Sequence, residues 1–272
     1  MKILVTGAAG SIGRVISPGL TELGHTVVGL DRVPQPDGEG GRWYTLDCTD
    51  PDAVAAVFDD QSFDAVVHLA GHPDEASLPD SLSSHVITTA ALLDAMRDHD
   101  VPRFVYASSN HAVGRTPRSG LPDDLLSVDT RPRPDTFYGV GKVAAEAVMS
   151  LYADRYALDA VSCRIGSFLE RPETVRHLST WLSHDDCTRM VEAAQANDWD
   201  KLIHLEKSVA ALRQTVLADE ANASLTTAEA EMKHALIQRI LDDDAEIRRH
   251  TEPWMERLRR FLGSARQPQV SP

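Results

Sequence analysis

Cysteine is scarce: the 272 residues contain three, and Cys48, Cys163 and Cys187 are far apart with no C-x-x-C or mixed Cys/His spacing. That excludes a disulfide framework and a zinc site of ordinary ligand spacing, so the thiols read as packing groups of a reduced compartment. Long apolar runs are missing too, since nothing approaches the roughly 20 apolar residues that a membrane-crossing helix requires. Met1–Val5 runs straight into a glycine-rich turn, without the basic stretch, apolar stretch and cleavage site of a secretory leader. The expected location is therefore cytoplasmic. Positive charge is in short supply, with 27 Lys and Arg against 41 Asp and Glu and a formal net charge of −14. Phosphate-backbone binding is driven by Lys and Arg displacing counterions. Neither nucleic acid nor a membrane is expected as a partner.

What is present is the balance of a folded globular protein, 42% apolar and 25% charged. Lys2–Val5 and Thr26–Leu30 read as short strands around a glycine turn, Thr6–Gly13, and a helical stretch, Arg14–Leu23. That is a βαβ unit. The alternation continues with helix at Ala53–Phe58, strand at Ala65–Leu69, helix at Val86–His99, strand at Phe104–Ala107, helix at Val140–Tyr156 and strand at Ala160–Ile165. Short apolar strands without in/out alternation imply burial on both faces, so the expected fold class is α/β, a doubly wound, Rossmann-like parallel sheet.

From about Thr188 no further strand-like run appears, and the rest reads as an all-helical segment. Leu202, Leu205, Val209, Leu212 and Val216 form one helical stripe, Met232, Leu236 and Ile240 a second, and a third stretch, Ile247 to Leu262, contains Pro253 followed by Trp254, Leu258 and Phe261. The expected division is residues 1–190 and 191–272, with the boundary between about 187 and 198.

Gly7-Ala8-Ala9-Gly10-Ser11-Ile12-Gly13 follows a strand and opens a helix, which lets backbone N–H groups approach a pyrophosphate seated on the helix N-terminus. Gly7, Ala9, Gly10, Ser11, Ile12 and Gly13 are the candidate cofactor positions of this turn, although glycines alone also fit a purely structural turn. Asp31 adds specificity. It ends the second strand, where a carboxylate can accept both hydroxyls of an adenosine ribose and would repel a 2′-phosphate, so NAD is expected over NADP. Asp47, beside Cys48, can accept from an adenine amino group, and His68-Leu69-Ala70-Gly71 closes a strand with small residues that let Leu69, Ala70 and Gly71 run close to a cofactor.

Tyr138 and Lys142 are i and i+4 on one helix face, which places an ammonium near a phenol. A phenol of ordinary pKa near 10 is a poor base at neutral pH, and a nearby cation together with a positive nicotinamide ring would stabilise the phenolate. Ser109, Asn110 and His111 end a strand and set a hydroxyl, an amide and an imidazole at the carboxyl edge of the sheet. A Y-x-x-x-K spacing by itself is also a common solvated helix face; its conjunction with the glycine turn, Asp31 and the serine cluster is not.

On these residues the sequence resembles the extended short-chain dehydrogenases. Ala107 to Gly114, Arg164-Ile165-Gly166-Ser167 and Arg176 to Ser183 narrow the resemblance to the uronate dehydrogenases, over about residues 1–190. The resemblance implies NAD-dependent oxidation of a hexuronic acid, glucuronate or galacturonate, at C1 to the aldarolactone. It implies Tyr138 as general base, Lys142 lowering its pKa and holding the nicotinamide ribose, and Ser109 orienting the hydroxyl. Ile165 would line the cofactor site, Asn110, His111 and Ser167 would bind sugar hydroxyls, and Arg176, with its planar fork, would bind the carboxylate. A surface ion pair is the plainer reading of Arg176.

Two departures from that pattern stand out. His85 occupies a helix position that is commonly Asn, and the further strand and Trp-containing segment expected after Val191-Glu192-Ala193-Ala194 are absent. Instead, Asn197 to Ile203 and Asp244 to Met255 resemble flagellar export chaperones of the FliT type, small helical proteins that bind flagellar partners. The tail is thus either a chaperone-like module fused to the enzyme or a helical cap, and its stripes could equally make a homodimer. An NAD-dependent sugar epimerase or dehydratase is the rival enzyme reading; a weakly active Rossmann scaffold carrying a binding tail is the non-enzymatic one.

Overall fold

A computed structural model describes residues 1–36, 40–117, 126, 128, 130–172, 174, 177 and 180–196. The helical stripes, the FliT-like motifs and the tail expected beyond Ala196 lie outside the described residues, as does Arg176.

Six strands form one wholly parallel sheet: β1 (Lys2–Thr6), β2 (Thr26–Asp31), β3 (Arg42–Thr45), β4 (Ala65–His68), β5 (Arg103–Ser109) and β6 (Asp159–Ile165), in the order β3-β2-β1-β4-β5-β6. The chain builds outward from β1 through β2 to β3, then returns to the other side of β1 with β4. That reversal between β1 and β4 opens a crevice at the carboxyl ends of the strands, where sheets of this kind bind ligands.

Successive strand residues point to opposite faces, and both faces are buried. Leu4, Val66, Phe104 and Tyr106 enter a core completed by Val54, Val57 and Phe58 of α2 (Pro51–Asp60), Leu92, Leu93 and Met96 of α4 (Thr88–Asp98), and Ala145 and Met149 of α5 (Phe137–Tyr156). Ile3, Val5, Ala65, Val67, Val105 and Ala107 enter the second core, against Ile16 and Leu20 of α1 (Gly13–Glu22) and Cys187, Val191 and Ala194 of α6 (His184–Gln195). Residue 190 therefore falls inside α6, whose apolar side belongs to this second core. All three cysteines are buried, and burial pushes each thiol up to about 12, as befits packing groups.

The helix expected over Val86–His99 begins earlier and is not regular. A short α3 (Leu78–Leu82) leads into a π-helical turn, Ser83–Ile87, before α4 starts at Thr88. This wide turn carries His85, which is buried. A small parallel pair, β7 (Ser167–Phe168) with β8 (Trp181–Leu182), was not foreseen, because two-residue strands carry no periodic pattern. No described helix is long and apolar enough to cross a membrane.

Candidate active site

The glycine turn sits where β1 feeds α1. Gly7 has a φ of +67°, and a Cβ there would come within 2.6 Å of the Ala70 nitrogen, so only glycine lets the turn lie against the end of β4. Among the described residues four α-helices carry a side-chain N-cap: Asp50 on α2, Ser77 on α3, Thr136 on α5 and Ser183 on α6. Helix α1 has no side-chain cap and no acid in its first turn. Among the described residues, no hydrogen bond satisfies the Ser11 or Ile12 N–H. An uncapped N-terminus with free donors behind a glycine cradle fits the pyrophosphate of a dinucleotide.

Asp31 ends β2 beside that turn. Its carboxylate accepts the Ala9 N–H at 2.9 Å and the Val33 N–H at 3.3 Å, which fixes its orientation. Asp47 is more occupied than its sequence role suggested: one oxygen accepts both the N–H and the hydroxyl of Thr49 at 2.9 Å, and those bonds hold its pKa below the usual carboxylate value. Cys48, buried beside it, offers no thiolate. Leu69 and Ala70 are tied to Thr6, the former by its carbonyl at 3.1 Å and the latter by its hydroxyl at 3.3 Å, which brings 69–71 to the β1/β4 crevice. His68 is wholly buried between the hydroxyls of Thr6 and Thr88, and burial lowers its pKa well below the usual value. It is a neutral structural residue.

Helix α5 presents Tyr138 in its first turn and Lys142 one turn on. Lys142 is buried and donates to the Ala107 carbonyl at 2.7 Å, with its nitrogen 5.4 Å from the Tyr138 ring centroid. Burial pushes its pKa down to about 7, against an upward pull from Glu146. At Tyr138 burial dominates. Burial raises its pKa, the principal downward pull is the Ser109 hydroxyl rather than the Lys142 charge, and Asp74 adds to the rise. A phenol in an apolar setting resists ionising until more positive charge reaches it.

Ser109 is buried at the end of β5, where its hydroxyl accepts the His111 N–H and donates to the Asn110 side-chain oxygen, both at 3.2 Å. Ile165 ends β6 in register with Ser109. Ser167 shares a hydrogen bond of 2.9 Å with Thr180, joining β7 to the residue before β8. Arg164, from the same sequence segment, points elsewhere: Glu146 accepts its guanidinium through both oxygens, at 3.0 and 2.8 Å, and also accepts the Ser108 and Ser162 hydroxyls. It is a strut between α5 and β6 and has no free fork.

Three side chains beside Tyr138 had no assigned role in the sequence reading. Glu75 accepts the N–H groups of Phe137 and Tyr138 at 2.9 and 3.1 Å, capping α5 from a loop 62 positions earlier. Asp135 accepts from His111 at 2.8 Å. His85 packs edge to face on Tyr138, with ring centroids 5.2 Å apart, and burial, followed by the Lys142 charge, pushes its pKa down to about 3. The His72 backbone pulls weakly upward, yet neither His85 ring nitrogen is in hydrogen-bonding geometry with any described group. In sequence His85 stands out only as a departure from the family pattern, and Glu75 and Asp135 belong to no local motif. Among the described residues, no three His, Cys, Asp or Glu side chains are grouped to hold a metal.

A family model described as the NAD dependent epimerase/dehydratase family matches residues 3–184 of this chain, and one described as flagellar protein FliT matches residues 183–271. Uronate dehydrogenase of Pseudomonas putida is 32% identical over 191 residues, covering 70% of each chain. The enzyme of the same name from Agrobacterium fabrum is 36% identical over 192 residues, covering 71% of each. A crystal structure of a mutant Agrobacterium tumefaciens uronate dehydrogenase complexed with NAD superposes with a TM-score of 0.64 at 36% identity, covering 71% of both chains.

Proposed function

Because this chain belongs to the NAD dependent epimerase/dehydratase family across residues 3–184, we propose that it oxidises a hexuronic acid at C1 to the aldarolactone, with NAD as acceptor. The observation that carries this reading is the juxtaposition of Tyr138, Lys142 and Ser109 at the sheet edge that also holds the uncapped α1 turn and Asp31. Bound NAD supplies the hydride acceptor and a positive charge. Gly7, Ala9, Gly10, Ser11, Ile12 and Gly13 would hold its pyrophosphate and Asp31 its adenosine ribose, and Asp47, Cys48, Leu69, Ala70, Gly71 and Ile165 would line the rest.

Tyr138 takes the proton of the C1 hydroxyl as general base. Ser109 turns its one hydroxyl proton from the Asn110 side-chain oxygen toward the phenolate and so holds the C1 hydroxyl in line, while Lys142, fixed on Ala107, stands 5.4 Å from the Tyr138 ring centroid. Asn110, His111 and Ser167 bind sugar hydroxyls, and Arg176 binds the carboxylate. An acidic sugar bound by a chain of formal net charge −14 needs a cation to receive its carboxylate, the role given to Arg176.

The experiment is turnover of the full chain with NAD and a panel of uronic acids, followed by NADH absorbance. Net NADH formation on glucuronate or galacturonate supports the dehydrogenase; sugar conversion without net NADH would instead make it an epimerase. We place the protein in the cytoplasm, in keeping with its three unpaired buried thiols, and divide it into an enzymatic part, residues 1–190, and a helical part, 191–272. The helical part is the candidate surface for a protein partner or a second copy of the chain.

A further inference from the structure

His111 is held unusually firmly for a side chain that remains 37% exposed. Its Nδ1 meets the Asp135 carboxylate at 2.8 Å, and its backbone N–H is held by Ser109. The two chain segments involved run side by side: Arg133 N–H donates to the Ala112 carbonyl, and Arg115 N–H to the Arg133 carbonyl, both at 2.9 Å. Asp135 is boxed in as well. A Cβ on Gly114 would collide with its carboxylate, and Thr136, which caps α5, donates to the same oxygen at 3.4 Å. The pair is thereby locked to the start of the helix that carries Tyr138, and the His111 ring stands edge to face on the Tyr138 ring, centroids 5.8 Å apart.

An ionised carboxylate only accepts hydrogen bonds, so the nitrogen facing it must carry a proton. In a neutral imidazole the other nitrogen is then a lone-pair acceptor. No described side chain or backbone group bonds His111 Nε2. We propose that Asp135 is a positioning residue that fixes His111 in its Nδ1–H tautomer, so that Nε2 accepts a hydrogen bond from a hydroxyl of the sugar beside Tyr138. The pair thus reads a hydroxyl donor on the substrate. It takes no proton in the reaction, since Tyr138 already does that. This assignment rests on the dehydrogenase reading for its ligand, and on geometry alone for the tautomer.

The test uses the full chain with 15N-labelled histidine, with the His111 ring signals assigned by His111→Gln. The wild type should show an Nδ1-protonated neutral ring. In Asp135→Asn, whose amide can donate to Nδ1, the ring should gain the Nε2–H form. The kcat/KM for the uronate should fall about tenfold while the dissociation constant for NAD stays unchanged; Asp135→Ala should show the same split if it folds. An Nε2–H ring in the wild type overturns the proposal, and so does a tautomer change in Asp135→Asn that leaves uronate kinetics untouched. If the wild type oxidises no uronate, the functional reading fails, while the wild-type and Asp135→Asn spectra still decide the tautomer.

Discussion

Lys142 donates to the carbonyl oxygen of Ala107 across 2.7 Å, binding the second turn of α5 to the strand that ends at Ser109. One bond thus couples the two elements that present the phenol and the hydroxyl, and it does so through an ammonium that is only 4% exposed. A buried cation with one carbonyl partner is costly, which is why burial brings its pKa down to about 7.

That cost has a sign in the stability curve. A lysine whose folded pKa is depressed binds fewer protons folded than unfolded between pH 7 and its unfolded pKa near 10.4, so stability rises with pH across that window. From pH 7 to 9 the contribution is about 2 kcal/mol. Urea unfolding of the wild type and Lys142→Met at the two pH values measures it. The wild type should gain this increment relative to the variant; parallel pH dependence would remove the argument.

Tyr138→Phe keeps the ring that packs on His85 and His111 and removes only the hydroxyl. Turnover should drop by roughly a hundredfold to ten-thousandfold, the usual worth of a positioned acid or base, while NAD binding changes little. Stopped-flow turnover alongside a fluorescence titration with NADH separates the two. Near-normal turnover in a folded variant would mean that another group takes the proton.

The Asp31 carboxylate, held by the Ala9 N–H, should repel a 2′-phosphate. NAD is accordingly expected to exceed NADP in kcat/KM, and Asp31→Ser should narrow the gap. Equal efficiencies with the two cofactors in the wild type would contradict this placement.

Gly141 leaves room for His85. A Cβ there would come within 2.8 Å of the imidazole Cδ2 and 2.9 Å of the Ser81 carbonyl oxygen. Gly141→Ala should therefore destabilise the protein by about 1–3 kcal/mol, the ordinary cost of overpacking. Adding His85→Ala should recover part of the loss, because the backbone contact remains. Denaturant midpoints of the two single variants and the double variant show whether the pair is coupled; strictly additive effects would mean it is not.

Much of this protein is written locally. The alternation of short apolar runs with helical stretches announces the parallel sheet, since strands buried on both faces need no polar alternation. The glycine turn and Asp31 are legible because each depends on backbone shape and position at a strand end, and Tyr138 with Lys142 because one helical turn separates them.

Packing decided what sequence spacing could not. Partners far apart in the chain, Glu75 with the start of α5, Asp135 with His111 and Glu146 with Arg164, become neighbours only when β4, β5 and β6 lie side by side. Both Glu146 carboxylate oxygens take up the Arg164 guanidinium, which no spacing in the sequence announces. Burial raises the Tyr138 pKa against the downward pull of the Ser109 hydroxyl, because the penalty for an ion in an apolar pocket depends on everything around it. Sequence determines which groups a helix turn or strand end carries; only the assembled sheet determines which of them are desolvated, and desolvation sets both their charge and their use.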